Sequence, residues 1–322
     1  MGGAWEHSEI EPLDLDTCVW CRHTDGSEHG IRTIMDILEN YGLFGVFFVD
    51  ASLQALFNTR EFGAICQAVL SRGHDLQLHL HPAMQRYSEL RLKGPISRIP
   101  ENVSDFMHDY SQDIQIKLIE TACQTLADVS GRRPVAFRAG CYAVNDSTFS
   151  ALARAGILAD FSCNAAFTGI TCKVQEKMNK AYRIGGILEF PVTQLVGNRR
   201  PGNGYRPLEV SSISSEEMCS ALSQINAGGQ RSAVVVFHSF SLLKHRTNRW
   251  NKVRLDRVVK NRLHALARFL ADHSDRFEVV RVSDCITIDG WLEYVTGGNE
   301  VWPKTEWAFL AKRYFEQLRS RL

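Results

Sequence analysis

Neither sign of charge is in excess. Lys and Arg number 37 against 36 Asp and Glu, which leaves a net charge of +1. That removes the global electrostatic attraction expected of a nucleic-acid binder or an acidic-membrane binder. No apolar run is long enough to span a bilayer, and residues 1–20 carry several acids and no apolar h-region. Neither a membrane span nor a secretory signal is therefore expected. The nine cysteines are odd in number and scattered, too sparse for a secreted disulfide framework. Reduced thiols in a cytoplasmic protein are the expectation. Internal repeats and low-complexity tracts are missing. So is a GxGxxG after a first strand, which leaves a dinucleotide cofactor without support.

What is present is a folded chain's composition, 44% hydrophobic and 23% charged over 322 residues. Apolar runs of strand length alternate with segments of helical period. In 31–41, Ile31, Ile34, Ile37, Leu38 and Tyr41 share one helical face, and Gly42 is a natural stop. The run 43–50, LFGVFFVD, suits a strand buried on both faces and ends in an acid. A second helical pattern covers 60–71. In 75–82, DLQLHLHP, Leu76, Leu78 and Leu80 face one way and Gln77, His79 and His81 the other, with Pro82 closing the strand. Residues 83–102 read as loop and 103–128 as helix. Strands are expected at 134–140, 157–162, 186–193, 232–239 and 276–282, and helices at 146–155 (capped by Asn145) and 254–272. The tail 304–322 is amphipathic.

This alternation predicts an α/β fold with a parallel sheet. With 11–17 as the first, about seven or eight strands suit a deformed (β/α) barrel better than a short open sheet. One domain is expected over 1–322, with a core of about 11–283 and a C-terminal helical extension of about 284–322.

In such folds chemistry collects at the carboxyl ends of the strands. The first strand offers Asp14 and Asp16 on one face, and the third offers His79 and His81. Two carboxylates and two imidazoles from different strands make a plausible shell for a divalent transition metal. Arg138, followed by Tyr142, ends the 134–140 strand. Asp160 ends the next, and His238 closes the most apolar run in the chain. Each has a plain structural alternative, as a hydrogen-bonded histidine, a turn aspartate or an ion-pair arginine. The set is more persuasive than any member.

Taken in order, the first-strand acids, HGIRTIMDILENYGLFGVFFVD, GHDLQLHLHP, FRAGCYAVN, LEFPVT and VVVFHSF resemble the polysaccharide deacetylase family (carbohydrate esterase family four). The resemblance is strongest to members serving surface-polysaccharide biosynthesis in the cytosol. It runs from about Asp14 to His238, and segments 31–50 and 73–82 are its most specific parts. It implies a deformed barrel that hydrolyses N-acetyl groups on sugars with a divalent metal, often zinc. It assigns Asp14 as general base, Asp16, His79 and His81 as metal ligands, Arg138 as the group orienting the catalytic carboxylate, and His238 as general acid. This chain departs from the pattern in three places. Its acids are Asp14-Leu15-Asp16 rather than adjacent, and a shifted register would make Asp16 the base with Cys18 in a ligand's place. Its histidines stand two apart rather than four. No proline follows Arg138.

Around this set, Tyr142 and Asp160 are candidate substrate contacts. The loop 197–207, GNRRPGNGYRP, brings Arg199 and Arg200, and the stretch 244–262 is strongly basic. Arginine suits phosphate by charge and bidentate geometry, which fits a nucleotide- or lipid-linked N-acylated sugar. The plain alternative is a solvated helix face. Three competing functions stand beside deacetylation. One is hydrolysis of another C–N bond (a formyl group or a cyclic amide) on the same fold. Another is a catalytically degenerate glycan-binding barrel. The third is a redox or zinc module built on the Cys18–Cys21 pair.

Overall fold

The computed structural model describes residues 19–22, 26–56, 59–91, 103–197, 204–245 and 253–306, together with Phe309, Arg313 and Glu316. The expected first strand, 11–17, and with it Asp14 and Asp16, lies outside the described residues. So do Arg199, Arg200 and Cys18.

The architecture is mixed α/β around a central, largely parallel sheet. Its strands are β1 (Val46–Asp50), β2 (Asp75–Leu80), β3 (Ala136–Ala139), β4 (Ala159–Asp160), β5 (Tyr182–Ile184) and β6 (Ile187–Glu189), in the order β1-β2-β3-β4-β6-β5. Pairs β1–β2, β2–β3, β3–β4 and β4–β6 are parallel. Strand β5 adds an antiparallel edge through a tight hairpin at Gly185 and Gly186, both at positive φ. Two short antiparallel pairs follow, β7 (Gln194–Val196) with β8 (Tyr205–Pro207), and β9 (Leu243–His245) with β10 (Val253–Leu255).

The sheet is covered on both faces, as its apolar strands require. On one side Leu76, Leu78, Leu80 and Phe137 pack beneath helices Thr59–Leu70, Gln112–Ser130 and Asp146–Arg154. Phe62, Ile65, Ile119, Leu126, Phe149 and Leu152 complete that core. Each such side chain, fully buried, stabilises the fold by about 1.5–3 kcal/mol. On the other side Ala136, Ala159, Phe161, Leu188 and Phe190 form a second core with Val282, Ile286 and Val295. A third core joins helices Ile31–Glu39, Ser215–Ala227 and Arg257–Asp272. Asn145 caps its helix as the sequence predicts, in a reciprocal box with Thr148.

Four expectations are corrected. Residues 82–91 form a helix rather than a loop, because Pro82, which ends β2, also opens a helix at a position that needs no N–H. The helix expected from 103 starts at Gln112, after an irregular segment carrying one short turn at Met107–Asp109. The run 232–239 joins no ladder beyond a single bridge of Val236 to Glu209. It lies against the chain by scattered bonds instead, Thr193 N to Val234 O at 3.2 Å and Val236 N to Leu208 O at 2.9 Å. Residues 276–281 form no strand, and Val282–Cys285 is a helical turn. An apolar run fixes burial but not a ladder partner. In the tail, described Phe309, Arg313 and Glu316 are helical. No described helix is long and apolar enough to cross a membrane.

Candidate active site

Parallel pairing sets the site's first row. Asp50 stands beside His79, and His79 beside Arg138, at the carboxyl ends of β1, β2 and β3. The alternation in β2 sends its leucines under the helices and brings His79 and His81 to the opposite face. There Asp50, His79, His81, Arg138, Tyr142 and His238 line one cavity of about 1280 Å³, walled also by Phe48, Phe161 and Phe190.

Both imidazoles are fixed through Nδ1. His79 Nδ1 lies 2.6 Å from the Arg138 carbonyl oxygen, and His81 Nδ1 lies 2.6 Å from Asp105 Oδ2. The rings meet edge to face with centroids 4.9 Å apart. Burial, reinforced by His81, holds the His79 pKa well below the ordinary imidazole value, so His79 is neutral at pH 7. A neutral imidazole with Nδ1 bonded to a carbonyl or carboxylate is the form in which histidine offers Nε2 to a metal. Cys141 Sγ also lies 3.8 Å from Asp105 Oδ2, and among the described residues His81, Asp105 and Cys141 bring candidate ligand atoms within 4.8 Å of one another. The donor chemistry here, nitrogen with carboxylate and thiol in reach, fits a zinc-like ion.

Arg138 is buried. Its Nε donates to the Phe161 carbonyl at 3.1 Å, and its guanidinium sits 4.7 Å from the Phe48 ring centre. Burial lowers its pKa, opposed by Tyr142, Asp160 and Glu189. Immediately after β3 the chain turns sharply. Cys141 and Tyr142 both take left-handed φ values, +55° and +57°. Two successive non-glycine residues there are strained, and the turn places Tyr142 against Phe167 at 5.3 Å between ring centres.

His238 enters from the irregular 232–239 run. Its backbone N–H donates to Ser241 Oγ at 2.7 Å, and its Nδ1 lies 3.7 Å from Glu209 Oε1. Burial, with Arg138 and His81 adding to it, pushes the imidazole pKa down to about 4.

The structure does not bring Asp160 to this group. It belongs to the row Leu78, Phe137, Asp160, Glu189, on the helix side of the sheet. There it accepts from Ser162 N and Oγ at 3.2 and 2.6 Å and faces Glu189, both carboxyls fully buried. Burial and the Asp160 charge push the Glu189 pKa well up, so Glu189 carries the pair's proton. A group raised in the folded state stabilises below its unfolded pKa and loses that contribution as pH rises through its folded value. Glu189→Gln, neutral at every pH, is therefore expected to melt at or above the wild type, with a gap that widens from pH 5 to 9. A variant that melts lower at pH 9 than the wild type would contradict a protonated Glu189.

Other neighbouring side chains are engaged within the fold. Arg262 is buried and donates to Ser211 O and to Glu316, so it is not a free cation of the basic stretch. Trp291 stacks near Phe190 and Trp302 near Tyr205. The described cysteines form no disulfide with one another. Cys21 is buried, with Sγ 3.9 Å from Ser239 O.

Sequence reasoning missed three residues of the site. Asp50 was visible as the acid ending an apolar run. Its Oδ1 accepts from Ser52 N and Oγ, and its Oδ2 accepts from His81 N at 3.3 Å, which locks the end of β2 to β1. Asp105 and Glu209 reach the site only through folding, and nothing local marks them.

No protein-family model matches the chain, and no curated protein matches it. Among solved structures it is similar to a Mycobacterium smegmatis protein named for the polysaccharide deacetylases, at 17% identity and TM-score 0.47, over 86% of this chain and 82% of that one. It is also similar to a family 4 carbohydrate esterase from Streptomyces lividans determined with acetate, at 13% identity and TM-score 0.41, over 77% and 84%. A third likeness is to a Bacillus subtilis peptidoglycan deacetylase, at 13% identity and TM-score 0.38, over 90% and 89%. Likeness at this level assigns neither activity nor ligands.

Proposed function

We propose that the chain is a metal-dependent amide hydrolase that removes an N-acetyl or other N-acyl group from a sugar, as the carbohydrate esterase resemblance implies. The observation that carries this is the pair His79 and His81. Both are anchored at Nδ1 and stand in one cavity with Arg138 and His238. His79 and His81, with Asp16, would hold a divalent ion such as zinc, which would supply Lewis acidity and lower the pKa of a coordinated water toward ~7. Asp14 takes the proton of the attacking water, or Asp16 does so in the register that puts Cys18 among the ligands. Arg138 keeps that carboxylate ionised and oriented. His238 hands a proton to the departing nitrogen. At neutral pH its ring is unprotonated, so the proton it delivers is the one the carboxylate base removed from water, passed from that carboxyl to the ring, with Glu209 favouring the cation that forms. Tyr142 contacts the sugar. Arg199 and Arg200 grip the phosphate of a nucleotide- or lipid-linked substrate, placing the enzyme in a cytoplasmic step of surface-glycan assembly. The run 232–238, bonded to residues 193 and 208–210, continues the wall of a deformed barrel.

Incubation with a panel of free and nucleotide-linked N-acetylated sugars tests this reading. Acetate release that stops on chelation and returns with added zinc is the expected result. A protein that takes up no divalent ion, or that cleaves no member of the panel when loaded, would overturn it.

A further inference from the structure

We propose that Asp105 is a positioning residue for His81: its carboxylate holds the imidazole so that Nε2, and not Nδ1, is presented to the metal. This rests on the metal reading above. Asp105 sits in an irregular segment before the Met107–Asp109 turn, and its carboxylate bonds two points of the chain at once. Oδ2 takes His81 Nδ1 at 2.6 Å, and Oδ1 takes the backbone N–H of Ala83 at 3.3 Å. The end of β2 and the first turn of helix Pro82–Arg91 are thereby tied to one group. The contact is sheltered, with 5% of the His81 side chain and 12% of the Asp105 side chain exposed. A charged hydrogen bond is strongest in such surroundings.

Two neighbours complete the clamp on the ring. The edge of His79 meets it at an interplanar angle of 89°. The backbone of Gly140 lies so close that a Cβ there would come within 2.5 Å of His81 Nδ1. Turning the ring over would carry Nδ1 away from Asp105 and put a carbon in its place, stranding a buried carboxylate.

A rival arrangement uses the same atoms, with an ion seated directly on His81 Nδ1, Asp105 and Cys141 Sγ. The two are exclusive, because a nitrogen that donates to Asp105 has no lone pair for a metal. The 2.6 Å separation favours the first. Two donors sharing a tetrahedral ion at ~2.0–2.1 Å each would stand about 3.3 Å apart. The observed spacing is that of a hydrogen bond.

The test titrates full-length protein with Zn2+ and Co2+ against a competing chelator, for the wild type, Asp105→Ala, Asp105→Asn and Cys141→Ser. The tautomer of His81 is read by nitrogen-15 NMR in the metal-free state. Asp105→Ala is expected to weaken metal binding ~10–100-fold and to lose the Nδ1–H tautomer preference. Asp105→Asn, which keeps an acceptor, is expected to lose less and serves if the alanine variant does not fold. Cys141→Ser is expected to bind as the wild type and to leave the spectrum of the cobalt protein, with or without a thiolate charge-transfer band, unchanged. Equal affinity in the wild type and both Asp105 variants would overturn the proposal. So would a thiolate band that disappears in Cys141→Ser. A wild type that takes up neither ion removes the metal reading and this inference together, whereas equal affinity removes this inference alone.

Discussion

The double variant His79→Ala/His81→Ala is expected to purify folded, metal-free and without hydrolase activity. Losing an outer partner of a ligand costs ~10–100-fold in affinity. Losing two ligands of a three-residue set goes well beyond that, and nothing would then hold the ion. The fold should survive because the helix-side core rests on the other residues of the same strand, Leu76, Leu78 and Leu80. The two alanines also remove a half-buried, neutral His79, which does not serve as a charged partner of the core. Metal analysis, circular dichroism and acetate release on one preparation check this. A variant that still carries about one ion per chain would place the metal elsewhere, with His81, Asp105 and Cys141 no longer the candidates either. A variant that loses its fold with its metal would mean that the two rings, through the His81–Asp105 bond or the ion they hold, also carry structure.

His238→Ala is expected to lower kcat by ~10²–10⁴, the usual worth of a positioned proton donor or acceptor, with a smaller effect on KM. The pH dependence carries the finer claim. With its pKa pushed down to about 4 by burial and the nearby Arg138, the ring is neutral from pH 5 upward. Activity that depends on the neutral ring should rise through about pH 4 and show no His238 limb near 6.5. The sign for stability agrees: a depressed folded-state pKa gives a contribution that is present above the unfolded value near ~6.5 and is lost as pH falls toward 4. Proton NMR titration of His238, with Glu209→Gln as a companion, measures this directly. A titration at 6.5 or above would contradict the depressed pKa, and a kcat within threefold of the wild type in His238→Ala would remove His238 from the reaction.

Much of this arrangement was legible in the chain because it is written in short periods. The alternation of 75–81 named both the helix-side leucines and the cavity-side histidines. The period of 31–38 named the buried face of the first described helix, and Asn145 announced its helix. Failures occurred where a residue's role depends on distant chain. Segments 232–239 and 276–282 have the composition of strands, yet their backbone bonds are set by irregular neighbours. Pro82 carries two meanings, strand end and helix start, and the local sequence does not mark the second. The glycine pair 185–186 was a readable hairpin signal that went unread. Asp160 sat at a strand end, but one residue of phase put it on the helix side, paired with Glu189. Asp105 and Glu209 have no local signature, since their partners lie 24 and 29 residues away, at His81 and His238.

The row Asp50, His79, Arg138 has a consequence for the order in which the molecule is made. These residues are far apart in sequence and meet only when three parallel strands have paired across two helical crossovers. Such non-local pairing is slow, because chain entropy is lost before the contacts reward it. No fragment or early intermediate lacking one of the three strands can assemble the cavity floor. The recovery of the site during refolding is therefore a clock for completion of the sheet, and it should lag behind the return of helical signal.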